Sequence, residues 1–399
     1  MADEPKSRAR KGTVLVLDAG TRHALAAVRG LGHAGWDVVV AGSEPRAAAV
    51  AAASRYVTDY HRLPTPWRAA APFEHALAGI VRRHGCRAVV ACSDVTVARL
   101  RGLEIGAPTV PTLDHTLDLV SDKLLLAGVC SDVGVMYPTT WRAGEHDSSL
   151  TDLPLIVKPR RTAVPSPERV VSRTGAYVAH TPEEVDAALG ELRSIGLEAI
   201  VQRRVQRAFK INVSFVGRSG ATSFRIAYRV LREFPAHGGL AATIETIDPL
   251  SGVGARALQA AERVCNIAGY AGLANVEFYG QDDGELCLIE VNARVWGSIW
   301  FPERLGLQPT ERVVRDVLGE PAQPPLEYRA GRRFHRPTLE LKWLLSRSPD
   351  RGRRRELIGS LRPGDVYDVL SLSDPMPVAQ EIGQVVARGW RSLSRRRRR

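Results

Sequence analysis

The first 110 residues alternate short apolar runs with segments whose apolar residues recur at helical spacing, and this alternation constrains the fold most. Strands are predicted at residues 13–18, 37–41 and 87–92, and helices at 22–31 and 73–84. Strands that alternate with helices are typical of a parallel α/β sheet. The turn after the first strand lacks the G-x-G-x-x-G pattern of dinucleotide sites. The sequence therefore predicts a Rossmann-like domain over residues 12–115 that serves as a scaffold.

The positive charge of the chain is concentrated near its C-terminal end. The net charge is +12, and residues 332–399 contain 17 basic and 7 acidic side chains. The five consecutive arginines at residues 395–399 have two interpretations. They are either a contact for nucleic acid, anionic lipid or an acidic protein, or a solvated tail in an arginine-rich protein. The basic tail at residues 391–399 is therefore a candidate contact for an anionic partner.

The distribution of apolar residues and cysteines argues against a secreted or membrane-spanning protein. No run approaches ~18 consecutive apolar residues, and the opening MADEPKSRARKG is polar and basic, unlike a secretory signal. The five cysteines form no CxxC pair, and their odd number fits reduced thiols better than a disulfide framework. We expect a cytoplasmic protein with no membrane span and no zinc site.

One segment, ANVEFYGQDDGELCLIEVNAR, places several polar side chains within two apolar strands that the turn GQDDG would join. Side chains alternate faces along a strand, so Glu290, Asn292 and Arg294 are expected on one side. An antiparallel hairpin would bring Glu277 opposite them. Buried carboxylates are costly unless they are paired or bind a metal. The alternatives are a solvent-facing hairpin edge and a Mg²⁺ site, and the grouping of two carboxylates with an amide favours the metal.

Lysine is rare in this chain, and two of the six lysines occur where a phosphate site would need a cation. Lys123 begins a predicted helix, and Lys158 ends the apolar run LIV. A compact ammonium group on a flexible stem suits a phosphate oxygen. Taken singly, Lys123 is better explained by a surface position, and for Lys158 the two explanations are equally good.

Four motifs, in their order along the chain, resemble the ATP-grasp superfamily. SDKLLLAGVCSDVGVMYPTT and LPLIVKP are similar to the segments that carry its two nucleotide lysines, EAIVQRRV to its adenine hinge, and VEF with LIEVNAR to its magnesium hairpin. The resemblance spans residues 13 to about 318. It implies an α/β protein, more strictly an α+β ATP-grasp fold, in which a Rossmann-like preATP-grasp domain precedes a two-lobed ATP-grasp domain at 116–318. The small lobe would cover about 138–205 and the large lobe about 206–318.

The resemblance implies a nucleotide site with four named residues. Lys123 and Lys158 would contact the phosphates of ATP, while Gln202 and Val205 would flank the hinge that binds adenine. This sequence departs from the family pattern in two places. The hinge carries arginines at 203 and 204 near the usual acidic ribose ligand, and the loop at 160–173 is not glycine-rich.

The resemblance also implies a metal site and a reaction. Glu277, Glu290 and Asn292 would bind Mg²⁺, with Mn²⁺ as an alternative ion. Arg294 would either stabilise the transferring phosphoryl group together with Lys158 or hold the substrate. The implied enzyme is a carboxylate–amine ligase that forms an acyl phosphate and releases ADP and phosphate. The alternatives are a carboxylase or phosphotransferase on the same scaffold, and a basic binding module with a degenerate nucleotide site.

The small-molecule acid and amine are expected to bind between the hinge and the hairpin. Arg229, Arg232 and Gly239 lie in that stretch, and the arginines are candidates for binding a carboxylate. The alternative, which the sequence supports equally well, is that these arginines face solvent or pair with Glu233.

Residues 319–390 lie outside the resemblance and are expected to form a C-terminal extension. It begins with the linker EPAQPP, and its motif SLSDPMP has no role that the sequence reveals. An apolar helix is predicted at residues 339–345. Packing against the core is favoured for this helix over contact with a membrane surface.

Overall fold

A computed structural model describes the chain at residues 11–145, 153–218, 221–235, 238–281, 284–346 and 351–384. The basic tail predicted at residues 391–399 lies outside these ranges. Within the described ranges, no helix combines the length and the apolar character needed to cross a membrane. All five cysteines are buried free thiols.

The N-terminal unit is a parallel sheet with helices between its strands. Its elements are β1 (Thr13–Val16), α1 (Arg22–His33), β2 (Asp37–Gly42), β3 (Val57–Arg62), α2 (Ala70–His84), β4 (Cys86–Val90), α3 (Asp94–Leu100) and β5 (Thr109–Val110). The strand order is β3-β2-β1-β4-β5, and all pairs are parallel. The predicted Rossmann-like arrangement is therefore confirmed. β3 and α3 were not predicted, because β3 is a partly polar edge strand and α3 has only seven residues.

Local sequence explains where the two long helices of this unit begin and end. The Thr21 side chain caps α1 by accepting a hydrogen bond from the Ala24 amide at 3.1 Å. Helix α2 ends at Gly85, which has φ +56. Glycine adopts this left-handed conformation without steric strain, so it terminates the helix at low cost.

Two short helices link the N-terminal unit to the rest of the chain: α4 (His115–Ser121) and α5 (Lys123–Asp132). The buried Asp122 carboxylate caps α5 by accepting from the Leu124 amide at 3.0 Å. The same carboxylate accepts from the guanidinium groups of Arg160 and Arg161 at 2.9 and 2.7 Å. Asp122 thus ties the start of α5 to the segment that follows the strand of Lys158.

The small lobe is an antiparallel sheet covered by one helix. Its elements are β6 (Thr140–Arg142), β7 (Leu155–Pro159), β8 (Ala163–Pro165), β9 (Val170–Ser172), β10 (Tyr177–Ala179), α6 (Pro182–Ser194) and β11 (Ala199–Arg203). The sheet order is β10-β7-β11-β6, and β8 and β9 form a separate hairpin. Val185 and Leu192 of α6 pack with Leu155 and Val157 in the core of this lobe.

The large lobe is built on long antiparallel strands. Its elements are β12 (Phe209–Arg218), β13 (Ala221–Phe234), β14 (Leu240–Ile247), α7 (Gly252–Ile267), β15 (Gly272–Gly280), β16 (Leu286–Asn292), α8 (Trp300–Arg304) and α9 (Pro309–Val317). Val213, Val276 and Phe278 share a core cluster with Ala257 and Ala261 of α7. Because side chains alternate along a strand, the opposite face of β12, β15 and β16 is free to carry polar groups.

The C-terminal extension contributes to the large-lobe sheet. Its elements are β17 (Arg333–His335), α10 (Pro337–Leu345), α11 (Arg351–Ser360) and β18 (Val366–Tyr367). The seven-stranded order is β16-β15-β12-β13-β14-β17-β18, so β17 pairs directly with β14. Glu340 of α10 is buried and bonds to Arg232 and Thr243. The apolar helix therefore packs on the core, as favoured by the sequence, although its Leu341 and Leu345 are exposed.

Residues 366–384, here called the C-terminal strap, contact the N-terminal unit through the motif SLSDPMP. Asp374 within this motif is 1% exposed and accepts from Arg29 Nε and Ser54 Oγ, both at 2.8 Å. It also accepts from the Arg55 amide at 2.9 Å. Arg29 in turn donates to the carbonyl oxygens of Val369 and Asp374 at 2.8 Å. A buried ion pair therefore fastens the strap to α1.

Candidate active site

The predicted pair of carboxylates is present on the polar face of the large-lobe sheet. Glu277 of β15 lies directly opposite Glu290 of β16. The register shifts between this pair and the next, in which Phe278 faces Leu288, so Ile289 is an extra residue on β16. In a regular strand Glu290 would share the core-facing side of Leu288, two residues before it. The bulge reverses this alternation and turns Glu290 toward Glu277.

Amide side chains extend this polar face on both sides of the carboxylates. Asn292 lies opposite Asn275, and Asn212 of β12 lies opposite Glu277. The Asn212 side chain is 4% exposed, and its Oδ1 makes no hydrogen bond within the described part of the chain. A buried acceptor without a donor costs free energy, and a cation would satisfy it. The donor set of Glu277, Glu290, Asn292 and Asn212 consists of hard oxygen atoms and therefore fits Mg²⁺.

A third lysine, which the sequence reasoning did not single out, contacts the carboxylates. Lys210 of β12 is buried, and its Nζ lies 2.5 Å from Glu277 Oε2. Burial opposes the charge of Lys210, but the Glu277 carboxylate outweighs it and raises the lysine pKa above its ordinary value. Glu277 is therefore both a candidate metal ligand and the counter-ion of a buried ammonium group.

The two predicted lysines belong to α5 and to the small-lobe sheet. Lys123 at the start of α5 is buried, and its Nζ is 3.9 Å from Glu290 Oε1. Lys158 on β7 is partly buried, and burial lowers its pKa to about 8, helped by the charge of Lys123 and opposed by Glu290 and Glu277. Lys123 lies within ion-pair distance of Glu290, and the effect of Lys123, Glu290 and Glu277 on the pKa of Lys158 indicates that Lys158 is near them.

Arg294 follows the end of β16 and is held by a residue of the N-terminal unit. Its Nε and Nη2 donate to the two carboxylate oxygens of Asp94 at 2.7 and 2.8 Å, and Nη2 lies 3.4 Å from Asn292 Oδ1. Burial would raise the pKa of Asp94, but the Arg294 guanidinium holds it below its usual range. A fork-shaped pair of this kind fixes the arginine beside the candidate metal ligands.

The predicted hinge residues lie at the end of the small-lobe sheet. Gln202 on β11 is buried, and its Nε2 donates to Thr140 Oγ1 at 2.7 Å. Val205 is half-buried in the segment that joins β11 to β12, while Arg203 and Arg204 are exposed. These positions leave the predicted role of Gln202 and Val205 open.

The three predicted substrate residues are not brought together at the carboxylates. Arg229 is exposed and stacks on Phe209, with 5.0 Å between its Cζ and the ring centroid. Arg232 is buried and donates to Glu340 Oε1 at 2.6 Å and Ser360 Oγ at 2.8 Å. Gly239 lies in a tight turn, where a Cβ would come within 2.2 Å of the Pro235 carbonyl oxygen. An ion pair with the extension therefore engages the Arg232 guanidinium group, and its substrate role stays a prediction.

A different pair of groups lies close to Arg294. His23, near the start of α1, has its Nδ1 3.1 Å from the Cys92 carbonyl oxygen. Burial lowers the pKa of His23 to about 4, and the charges of Arg294 and Arg336 contribute. Arg336 is buried, and within the described residues its Nε makes no hydrogen bond. A Cβ on Gly297 would lie 2.5 Å from Arg336 Nη2, so a larger residue there would displace the end of the Arg336 side chain.

The loop after Lys158 is anchored rather than free. Its hairpin, β8 and β9, packs Val170 against Val95 and Ala98 of α3. Arg99 donates to the Ser166 carbonyl oxygen at 2.9 Å. This loop, which contains prolines rather than glycines, therefore forms a short hairpin that packs on the N-terminal unit.

Sequence reasoning missed Asp94, Lys210, Asn212, His23 and Arg336 as parts of this site. A signal existed for Lys210, because lysine is rare, and for Asn212, which is two residues further along the same strand. The other three come from α3, α1 and the extension. Only folding places them near the hairpin.

Comparisons with known proteins add a fold-level context to this site. No protein-family model matches the sequence. A vancomycin/teicoplanin A-type resistance protein, VanA, from Enterococcus faecium is 24% identical over 201 residues. The match covers 47% of this chain and 56% of VanA, so the chain spans little more than half the length of that relative.

Solved structures resemble a larger share of the chain. An L-amino acid ligase from Bacillus licheniformis matches with a TM-score of 0.57 and 15% identity, over 80% of this chain and 76% of that one. An N5-carboxyaminoimidazole synthetase from Staphylococcus aureus complexed with ADP matches with a TM-score of 0.59 and 12% identity, over 79% and 80%. Likeness at this level of identity reports the fold. Together with the parallel N-terminal sheet and the two antiparallel lobes, it shows that the chain has the ATP-grasp fold.

Proposed function

We propose that this chain is a Mg²⁺- and ATP-dependent ligase that joins a small-molecule carboxylate to an amine. The observation that carries the proposal is the grouping of Glu277 and Glu290 with Lys123 and Lys158. Two carboxylates suit a divalent cation, and two ammonium groups suit the phosphates that the cation would accompany. The likeness to an L-amino acid ligase and to an ADP-bound synthetase supports the same reading.

The proposed reaction uses no covalent intermediate on the protein. An oxygen of the substrate carboxylate attacks the γ-phosphorus of ATP, and ADP leaves. The amine nitrogen then attacks the acyl carbon, phosphate leaves and the amine loses a proton. Lys123 and Lys158 would hold the phosphate oxygens, and Arg294 would stabilise the charge of the transferring group from its fixed position on Asp94. Mg²⁺, held by Glu277, Glu290 and Asn292, would supply charge neutralisation of the phosphates.

The substrate carboxylate would bind where Arg294 and Arg336 flank His23. The two guanidinium groups are permanently charged, and His23 is neutral because its pKa is about 4. Arg294 pairs with Asp94, and Arg336 Nε lies 3.8 Å from Asp368 Oδ2, so a substrate carboxylate would share these guanidinium groups with the two aspartates. Arg229 and Gly239 remain predictions for substrate binding.

The proposal is tested by measuring ADP release from Mg-ATP in the presence of candidate acids and amines. The expected result is ADP formation that requires both an acid and an amine, because the acyl phosphate must be consumed for turnover. ADP release with bicarbonate in place of the acid would indicate a carboxylase. ADP release with an acid but without an amine would indicate a phosphotransferase. If no combination releases ADP and Mg-ADP also fails to raise the unfolding temperature, the proposed function is wrong.

Lys158 makes nucleotide binding depend on pH in a defined direction. Its pKa is about 8 in the free protein, and bound phosphates would raise it. Binding above pH 8 therefore takes up a proton, and affinity falls as pH rises, by at most about tenfold per pH unit. The measurement is the Kd of Mg-ADP by calorimetry between pH 7 and 9.5.

The matched control for this pH dependence is Lys158→Arg, because arginine stays charged across the range. The variant should bind Mg-ADP with a flat pH profile, since phosphate groups are already ionised above about pH 7. Equal profiles for the two proteins would exclude Lys158 from the nucleotide site.

Two expectations from the sequence stay predictions. A cytoplasmic location fits the use of ATP, and contact of the basic tail with an anionic partner concerns residues outside the described ranges. Deleting residues 395–399 should leave ADP formation unchanged if the chain is an enzyme rather than a basic binding module.

A further inference from the structure

Three side chains with metal-binding atoms converge in the N-terminal unit, at a place separate from the proposed active site. Asp59 and His61 belong to β3, and His84 is the last residue of α2. The Nε2 atoms of His61 and His84 are 2.7 Å apart. Asp59 Oδ2 lies 3.1 Å from His61 Nε2 and 3.6 Å from His84 Nε2. No step of the proposed reaction uses any of these groups.

Local structure explains why these atoms meet. Asp59 and His61 are two residues apart on β3, so their side chains project from the same face of the strand. Gly85 ends α2 in a left-handed conformation directly after His84. The other oxygen of Asp59, Oδ1, accepts from the Tyr60 amide at 2.7 Å. This bond orients the carboxylate so that Oδ2 faces the two imidazole rings.

The geometry of the three atoms suits one small cation. Their separations place them on a circle with a radius of about 1.9 Å, just below the ~2.0–2.1 Å of zinc bonds to histidine nitrogen and carboxylate oxygen. An ion slightly outside their plane would therefore contact all three atoms at normal bond lengths with little rearrangement. The rings of His61 and His84 are tilted by 63°, so each can direct a nitrogen lone pair without stacking on the other.

We propose that Asp59, His61 and His84 form a site for a divalent transition-metal ion of the Zn²⁺ type. Two imidazole nitrogens with one carboxylate are borderline ligands, which select Zn²⁺, Co²⁺ or Ni²⁺ over Mg²⁺. The His61 and His84 side chains are 17% and 20% exposed and Asp59 is 46% exposed, so the ion is reachable from solvent and retains water at the fourth position. The bound ion would clamp the end of α2 to the edge strand β3.

This site differs from the expectation drawn from the sequence, which excluded zinc because the cysteines lack metal-binding spacing. The expectation considered only thiols. His84 is 23 residues from His61, and only the return of α2 to the edge of the sheet brings it next to β3. The competing explanation is a hydrogen-bonded cluster of two histidines and an aspartate that binds no metal.

The experiment measures Zn²⁺ and Co²⁺ binding to the chelator-treated full-length protein in excess Mg²⁺. We expect one Zn²⁺ per chain at this site, a rise in unfolding temperature with Zn²⁺, and a visible Co²⁺ absorption typical of a four-coordinate ion with nitrogen ligands. His84→Gln removes a direct ligand and should weaken Zn²⁺ binding by at least about a hundredfold, more than the ~10–100-fold lost with an outer-shell partner.

Controls separate this site from others in the chain. His75→Gln makes the same chemical change at an exposed position of the same helix and should leave Zn²⁺ binding unchanged. Glu290→Gln should also leave it unchanged, because that residue belongs to the other cluster. If His84→Gln does not fold, Asp59→Asn removes the most exposed ligand and should give the same loss. Binding that is absent in the parent protein, or equal in His84→Gln and His75→Gln, overturns the proposal.

Discussion

Replacing Glu290 with glutamine should reduce ADP formation on the order of a thousandfold, because charge stabilisation by a metal supplies several kcal/mol to phosphoryl transfer. The substitution keeps the size of the side chain but removes a negative charge that faces Lys123 across 3.9 Å. Glu290 is 37% exposed, and the buried Lys123 loses a carboxylate that is 3.9 Å away, so the unfolding temperature should fall modestly while the chain still folds. The measurements are steady-state ADP release and the unfolding temperature with and without Mg-ADP.

Glu285→Gln is the matched control, since it makes the same chemical change on the same hairpin at an exposed position. It should retain ADP formation within a few-fold of the parent. Glu277→Gln would be a less clean test, because Glu277 is the partner of the buried Lys210 and its loss would also lower stability. Full activity of Glu290→Gln, with normal stabilisation by Mg-ADP, would contradict the proposed metal site.

Replacing Asp374 with alanine should lower the free energy of unfolding by about 3–5 kcal/mol, the usual cost of removing one partner of a buried ion pair. The change leaves the Arg29 guanidinium, which is 1% exposed, without its counter-ion. It also removes the acceptor of Ser54 Oγ and of the Arg55 amide. Urea unfolding, with the midpoint and slope compared between variants, measures the effect.

Leu372→Ala in the same strap is the control for this prediction. Leu372 is fully exposed, so its truncation should change stability by no more than about 0.5 kcal/mol. A double variant, Arg29→Met with Asp374→Leu, should recover much of the loss, because it removes both charges rather than one. If Asp374→Ala is as stable as Leu372→Ala, the strap does not hold the N-terminal unit in the way described.

Much of the fold and the centre of the site could be read from local patterns. The alternation of strand and helix predicted the parallel sheet, and the turn between two apolar strands predicted a hairpin that brings Glu277 opposite Glu290. These features depend on residues close in sequence or joined by a short turn. Local propensity and hydrophobic pattern therefore carry enough information for them.

The sequence indicated no partner where a side chain binds a residue far along the chain. Arg232 was a candidate for binding a carboxylate, with solvent or Glu233 as alternatives, and in the structure it pairs with Glu340, 108 residues later. Arg294 pairs with Asp94 across 200 residues. A guanidinium group has the same appearance in the sequence whether it meets a ligand or a carboxylate of the same protein. Only the packed structure identifies the partner.

By itself, the sequence predicted the order of the units, the helix that Lys123 begins, the strand that carries Lys158 and the acidic hairpin. Each of these predictions rests on spacing within one or two neighbouring elements. Tertiary structure decided that Lys123 lies near Glu290 and that a bulge at Ile289 turns Glu290 to the polar face. It also decided that β3 and the end of α2 bring three metal-binding atoms together. The physical reason is that burial and ion pairing depend on distance in space, whereas a sequence pattern records only distance along the chain.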